Sequence, residues 1–158
     1  MNINIELTEH SSHEELSLKD QGLIALAINQ LQTSHSPYSN FRVGAAVSLE
    51  NGDSWGGSNQ ENSSYPVGIC AERVALSVAS TQSPGEIVDT IVVVYSDPRG
   101  VHNAPLAPCG MCRQAIREQT YRQEKGIRMI LTTQHGETLV LKNADDLLPL
   151  SFTLEKSK

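Results

Sequence analysis

The chain has 158 residues, a formal net charge of −6, 39% hydrophobic residues and only 4% aromatic ones. That length suits one domain, expected over residues 1–158, with enough apolar residues for a core; the acidic balance argues against a partner bound through its phosphate backbone, so no nucleic acid is expected. No apolar run approaches membrane-span length, the opening MNINIELTEH lacks a basic region and a long apolar stretch, and three cysteines cannot all pair with one another, so the expectation is a cytoplasmic protein with reduced thiols and no membrane partner.

Alternation over Asn2-Ile3-Asn4-Ile5-Glu6-Leu7 has the period of a short edge strand, inside an N-terminal extension, residues 1–16, that has no assigned role. SLKDQGLIALAINQLQ predicts an amphipathic helix capped by Ser17, with Asp20 in its first turn and Ile24, Ala27, Ile28 and Leu31 as its apolar stripe. HSPYSNF then breaks the helix at Pro37. RVGAAVSLENGDSWGG reads as two strands around Asn51-Gly52, a strong hairpin signal. SNQENSSYPV is polar, rich in turn residues and long for a mere connector. A helix is predicted from Cys70 to about Ser80, closed by Ser83-Pro84-Gly85, and DTIVVVYS is a continuous apolar strand buried on both faces. After the loop DPRGVHNAPLAP comes a helix from Gly110 to Arg122, then the buried strand IRMILTT. The link QHGE is too short for a parallel crossover, so TLVLK is expected antiparallel to its neighbour, and ADDLLPLSF ends on a short helical turn. The sum is an α/β chain with a mixed sheet of about five strands and helices on both faces.

Chemistry concentrates in GICAERVAL (68–76) and APCGMCRQAI (107–116). Cys70, Cys109 and Cys112 each fall at or within the first turn of a predicted helix, where unpaired N–H groups and a partial positive charge favour thiolates. The spacing Cys109-Gly110-Met111-Cys112 suits two zinc ligands; it also suits a redox pair or two buried small hydrophobes. A structural zinc site closes with four protein ligands, whereas three thiols leave one position open, as in a catalytic zinc that holds water. Glu72, two residues after Cys70, can bring a carboxylate near such a metal without binding it and move protons there. Alone, it reads equally as a helix-start glutamate that favours the dipole.

Together these pieces form Cys-Ala-Glu followed by Pro-Cys-x-x-Cys, the pattern of the zinc nucleobase deaminases. SPYSNFRVGAAV, NQENSSYPVGICAERVAL, PCGMCRQ and LLPLSF extend it: from about residue 20 to 152 the chain resembles the small, oligomeric cytidine deaminases. Three cysteines with Arg73 directly after Glu72 mark that branch; deoxycytidylate deaminases and polynucleotide editors usually carry histidine at the first ligand position. The resemblance implies a three-layer α/β/α fold, one Zn²⁺ per chain held by Cys70, Cys109 and Cys112, and Glu72 as proton shuttle. It implies that Asn59 and Glu61 hold the ribose 3′-hydroxyl, that Phe41 stacks on the pyrimidine, and that Tyr65 and Phe152 help complete an active site, in part a neighbour's, within a homotetramer. Without it, Asn59 and Glu61 are an ordinary polar loop, Phe41 a core ring, Phe152 a terminal anchor and His102 a loop residue. Ser63 stands where the family mostly has alanine, Pro66 where many members have glycine, and Met111 where a small residue is usual.

The implied reaction replaces the amine on ring carbon 4 of cytidine or deoxycytidine with oxygen, giving uridine or deoxyuridine and ammonia, a step of pyrimidine salvage. Zinc makes hydroxide available near neutral pH, and Glu72 carries protons to ring nitrogen 3 and to the departing amine. Backbone N–H groups near Ala71 and Cys109 are candidates to support the site, and the sequence does not single out which do. Three thiolates outweigh one Zn²⁺ by about one negative charge, which Arg73 is positioned to offset beside the ligands. Two alternatives stand: a deaminase of another cytosine compound of the blasticidin S type, against which the segment from Asn59 to Tyr65 argues, and a non-catalytic zinc module, against which Glu72 and the missing fourth ligand argue.

Overall fold

The computed structural model describes residues 3–155 apart from residues 101 and 135. Six strands, β1 (Leu7–His10), β2 (Arg42–Leu49), β3 (Ser54–Ser58), β4 (Val88–Ser96), β5 (Arg128–Thr133) and β6 (Thr138–Leu141), form one sheet in the order β1-β6-β5-β4-β2-β3. Only β4 and β5 run parallel, joined by a crossover through the helix α3 (Gly110–Gln123); every other pairing is antiparallel, including β5 with β6 across their short link. Alternate residues of β2, β4 and β5 feed two cores. Ala45, Val47, Ile91, Val93, Met129 and Leu131 pack under α3 and the helix α2 (Ala71–Gln82). Ala46, Val92, Val94 and Ile130 pack on the other face under the helix α1 (Leu18–Gln30). That two-sided burial is why DTIVVVYS has no polar alternation. The result is three layers, α1 over the sheet over α2 and α3.

The elements follow their local signals. The Ser17 side chain accepts the Asp20 N–H at 3.2 Å and caps α1, whose buried stripe is Leu23, Ile24, Ala27 and Leu31, with Ile28 half-buried. The hairpin turns through Gly52 at φ +96°. Three expectations are corrected. The helix ends at Gln30, before Pro37, because a 3-10 turn over Leu31–Thr33 already tightens its end. Among the described residues the sheet has six strands rather than about five. The sixth, β1, is not the alternating stretch: Asn2 lies outside the described residues, residues 3–6 are irregular, and pairing begins at Leu7, opposite Leu141 of β6. Ladder bonds to an existing edge set the register there, and side-chain alternation in an exposed segment does not. Among the described residues no helix is long and apolar enough to cross a membrane.

Register places the site. Ser58 at the end of β3 pairs with Gly44, which pairs with Val94 near the end of β4. The chain leaving β3 leads into α2 and the chain leaving β4 into α3, so both helices start at one end of the sheet. Gly57 lets α2 lie close: a Cβ there would sit 2.4 Å from the Ala75 nitrogen and 2.7 Å from the Ala71 carbonyl oxygen, so any larger residue would lift the helix and the cysteine before it.

Candidate active site

Cys70 and Cys109 are the residues immediately before α2 and α3, both in extended backbone conformation, and neither side chain caps its helix. Each sulfur is thereby free to face the other, and Cys112 joins from the first turn of α3. The Sγ atoms lie 3.8 Å apart for Cys70 and Cys109 and 3.5 Å for Cys109 and Cys112, and all three fall within 4.8 Å of one another. Hydrogen bonding from the Cys112 thiol holds the Cys70 pKa down to about 6, against burial and the nearby Glu72, with help from Cys109 and the Arg73 charge. The Cys112 thiol is pushed up by its hydrogen bond to Cys70 and by burial. Glu72, in the first turn of α2, is 4% exposed. Burial raises its pKa over the opposing influence of its own backbone N–H, Cys112 and Arg73, so its proton is held more tightly than a surface carboxyl's. Ala71 is fully buried behind the cluster.

The cluster opens on a cleft of about 560 Å³ lined by Cys70, Asn59, Glu61, Tyr65, Tyr38 and Ser39, with Met111 on its rim. The polar loop is pinned there at both ends: Gln60 and Ile69 exchange backbone hydrogen bonds at 2.9 and 3.0 Å, and Glu61 N–H donates to the His35 carbonyl at 2.7 Å. That ladder carries Asn59 and Glu61 beside Cys70. Asn59 Oδ1 accepts from Val43 N–H at 2.8 Å and Ser34 Oγ at 2.5 Å, while its Nδ2 donates to the Phe41 carbonyl at 2.9 Å. Its oxygen is thus filled, and one N–H is left to donate. Glu61 accepts from Tyr38 N–H at 2.9 Å, from Ser39 N–H at 3.3 Å and from the Ser39 hydroxyl. Burial pulls its pKa upward, but those bonds win and lower it, so Glu61 is an ionised acceptor. A donor beside an acceptor suits one hydroxyl that accepts from Asn59 and donates to Glu61.

The profile of the cytidine and deoxycytidylate deaminase zinc-binding region matches residues 17–125. The chain belongs to that deaminase family. A cytidine deaminase from Halalkalibacterium halodurans is 36% identical over 135 residues, 85% of this chain and 95% of that one. The crystal structure of a cytidine deaminase from Burkholderia pseudomallei is 36% identical, with a TM-score of 0.73, covering 87% of this chain and all of that one. A blasticidin-S deaminase from Bacillus cereus is 28% identical over 141 residues, 87% of this chain and 95% of that one.

The zinc of the deaminase family fits this donor set. Zn–S bonds of about 2.3 Å in a tetrahedron set sulfur separations of about 3.8 Å, close to those found here. The cluster of Cys70, Cys109 and Cys112 could hold a metal ion and is consistent with one zinc per chain. Arg73 sits differently from the expected pose. Its Nη2 donates to the Gly68 carbonyl at 3.3 Å and its Nε is buried without a partner; its charge reaches Cys70, but no hydrogen bond joins it to a thiol among the described residues. Phe41 does not line the cleft: it stacks on Tyr95 with ring centres 5.3 Å apart, and His102 meets it edge-on at 5.8 Å. Tyr65 is 78% exposed at the cleft and Phe152 69% exposed away from it, its carbonyl accepting from Gln114 Nε2. Sequence reasoning missed Ser39, Tyr38, Ser34 and Tyr95. Serines and a tyrosine in a turn carry no signal of their own; only the fold brings Ser34 to Asn59 and Ser39 to Glu61.

Proposed function

We propose that this chain catalyses the hydrolytic deamination of cytidine and deoxycytidine to uridine and deoxyuridine, releasing ammonia, as a cytoplasmic step of pyrimidine salvage. The observation that carries it is a buried carboxyl two residues from one thiol of a three-sulfur cluster, at the mouth of a cleft whose wall offers one donor and one ionised acceptor. Zinc, when bound, supplies the Lewis acidity that lets water react as hydroxide near neutral pH. Glu72 takes one proton from the attacking water and gives it to ring nitrogen 3, then takes the remaining proton of the new hydroxyl on ring carbon 4 and delivers it to the amine as that leaves. Burial suits it to the task, because a raised pKa brings the carboxyl nearer to working pH. Asn59 and Glu61 bind a sugar hydroxyl, and the N–H groups at Ala71 and Cys109, at the starts of α2 and α3, support the reacting end. Arg73 offsets thiolate charge through space. Phe41 supports the site through its main-chain bonds to Asn59 and Ser39.

The exposed Tyr65 and Phe152 support assembly into a homotetramer in which each completes a neighbour's site. The likeness to a blasticidin-S deaminase favours a second reading, in which that antibiotic is the substrate. Specificity constants for cytidine and blasticidin S, measured side by side with uridine identified as product, decide between them: a preference for cytidine supports the proposal, and turnover of blasticidin S alone overturns it.

A further inference from the structure

The loop between β4 and α3 reads as connector in the sequence, yet it is built against the site. Asp97 starts it with a turn, its carbonyl accepting Gly100 N–H at 3.0 Å and its Oδ1 accepting the Arg99 backbone N–H and Nε at 3.1 and 3.0 Å. Further along, the Tyr95 hydroxyl donates to the Ala104 carbonyl at 2.8 Å. Held on both sides, the His102 ring stands edge-on to Phe41 (5.8 Å, 83°) and to Tyr95 (6.4 Å, 85°), closing a three-ring cluster with the Phe41–Tyr95 stack.

Phe41 is more than a packed ring. The preceding Asn40 adopts a left-handed φ of +55°, tolerable for asparagine, and so turns the chain into β2 at Phe41. The Phe41 carbonyl holds the Asn59 side chain, and its N–H donates to Ser39 Oγ at 3.0 Å while that hydroxyl donates to Glu61. The main chain of one residue therefore holds Asn59 directly and Glu61 through the Ser39 hydroxyl. We propose that His102 is a positioning residue for substrate binding: its ring fixes Phe41 against Tyr95, and Phe41 in turn fixes the Asn59 amide and the Ser39–Glu61 pair. The substrate used below rests on the nucleoside deaminase reading; the packing claim does not.

The test compares wild type, His102→Ala and His102→Phe, each zinc-loaded, by kinetics on cytidine and by the ¹⁵N–¹H resonance of the Asn59 side-chain amide. Losing an edge-on aromatic contact of this kind is expected to raise KM about 2- to 12-fold in His102→Ala, with kcat within about twofold because no group that moves a proton is disturbed. The Asn59 amide resonance should move in His102→Ala, and both KM and resonance should return towards wild type in His102→Phe, which restores a ring. An unchanged KM with an unmoved amide overturns the proposal. So does a raised KM with an unmoved amide, which would make His102 a direct substrate contact, and so does a phenylalanine variant as impaired as the alanine one. If wild type fails to deaminate cytidine, the functional reading falls and the amide resonance alone decides this inference.

Discussion

Replacing Glu72 with glutamine removes the proposed proton carrier and little else. The side chain is 4% exposed in the first turn of α2, and glutamine matches its shape, so the thiols of Cys70 and Cys112 keep their neighbours. A single acid–base residue contributes roughly 10²- to 10⁴-fold, and in the proposed mechanism Glu72 serves several transfers in one turnover. The expected loss in kcat therefore reaches the upper figure, equivalent to about 5.5 kcal/mol of barrier. Stability should move the other way. Burial raises the folded pKa of Glu72 above its unfolded value. A group shifted in that direction stabilises the fold while protonated, and that contribution is lost as pH rises through the folded pKa. Glutamine carries no such loss. The melting temperature of Glu72→Gln is expected at or above that of wild type at pH 8, with the gap closing as pH falls below the ordinary glutamate range of about 4.3. The assay follows the ultraviolet change from cytidine to uridine, with zinc per chain and melting temperature measured on the same preparation. Near-normal turnover by the zinc-loaded variant would remove Glu72 from the proton path; a variant that loses zinc or melts early would refute the claim that its shape alone supports the site.

Ser39→Ala takes one of three hydrogen bonds from ionised Glu61 and should lower the preference for cytidine over free cytosine, since a hydrogen bond to a charged group contributes about 1.5–3 kcal/mol, or roughly 12- to 150-fold; equal preference in variant and wild type contradicts the hydroxyl-binding wall. Arg73→Ala removes a positive charge that lowers the Cys70 pKa, so that thiol stays protonated to higher pH and the acid limb of the activity profile should shift upward, with a rate loss of roughly 10- to 100-fold; an unchanged rate and profile would show that Arg73 does not act on the cluster. Activity should fall on dilution below the dissociation constant of the assembly, if Tyr65 and Phe152 serve a neighbour; a fully active monomer, established by light scattering under assay conditions, would contradict it.

The helices and the metal cluster were legible because their signals are local. Ser17, the apolar stripe of α1 and the cysteines before α2 and α3 all announce themselves within a turn of chain, and the three cysteines gain their meaning from the combined pattern Cys-Ala-Glu and Pro-Cys-x-x-Cys. The hairpin at Asn51-Gly52 and the two-sided strand β4 are of the same kind. What escaped depends on distant partners. β1 begins at Leu7 because β6 offers an edge there. His102 read as loop because nothing near it in sequence is aromatic; Phe41 and Tyr95 reach it only when the start of β2 lies beside the end of β4. Arg73, placed by motif beside the thiols, reaches Cys70 with its charge, while its hydrogen bond goes to the Gly68 carbonyl at 3.3 Å, a partner no local signal names.

One preparation tests the central claim most directly. Zinc per chain is measured in the purified protein, after chelation and after zinc is restored, and uridine formed from cytidine is measured in the same three samples. The account predicts about one zinc per chain before chelation, activity that falls with the metal and returns with it, and no activity in a Cys109→Ser variant that no longer retains zinc. Full zinc occupancy with no uridine formed would contradict it, and so would undiminished uridine formation by the zinc-free chain.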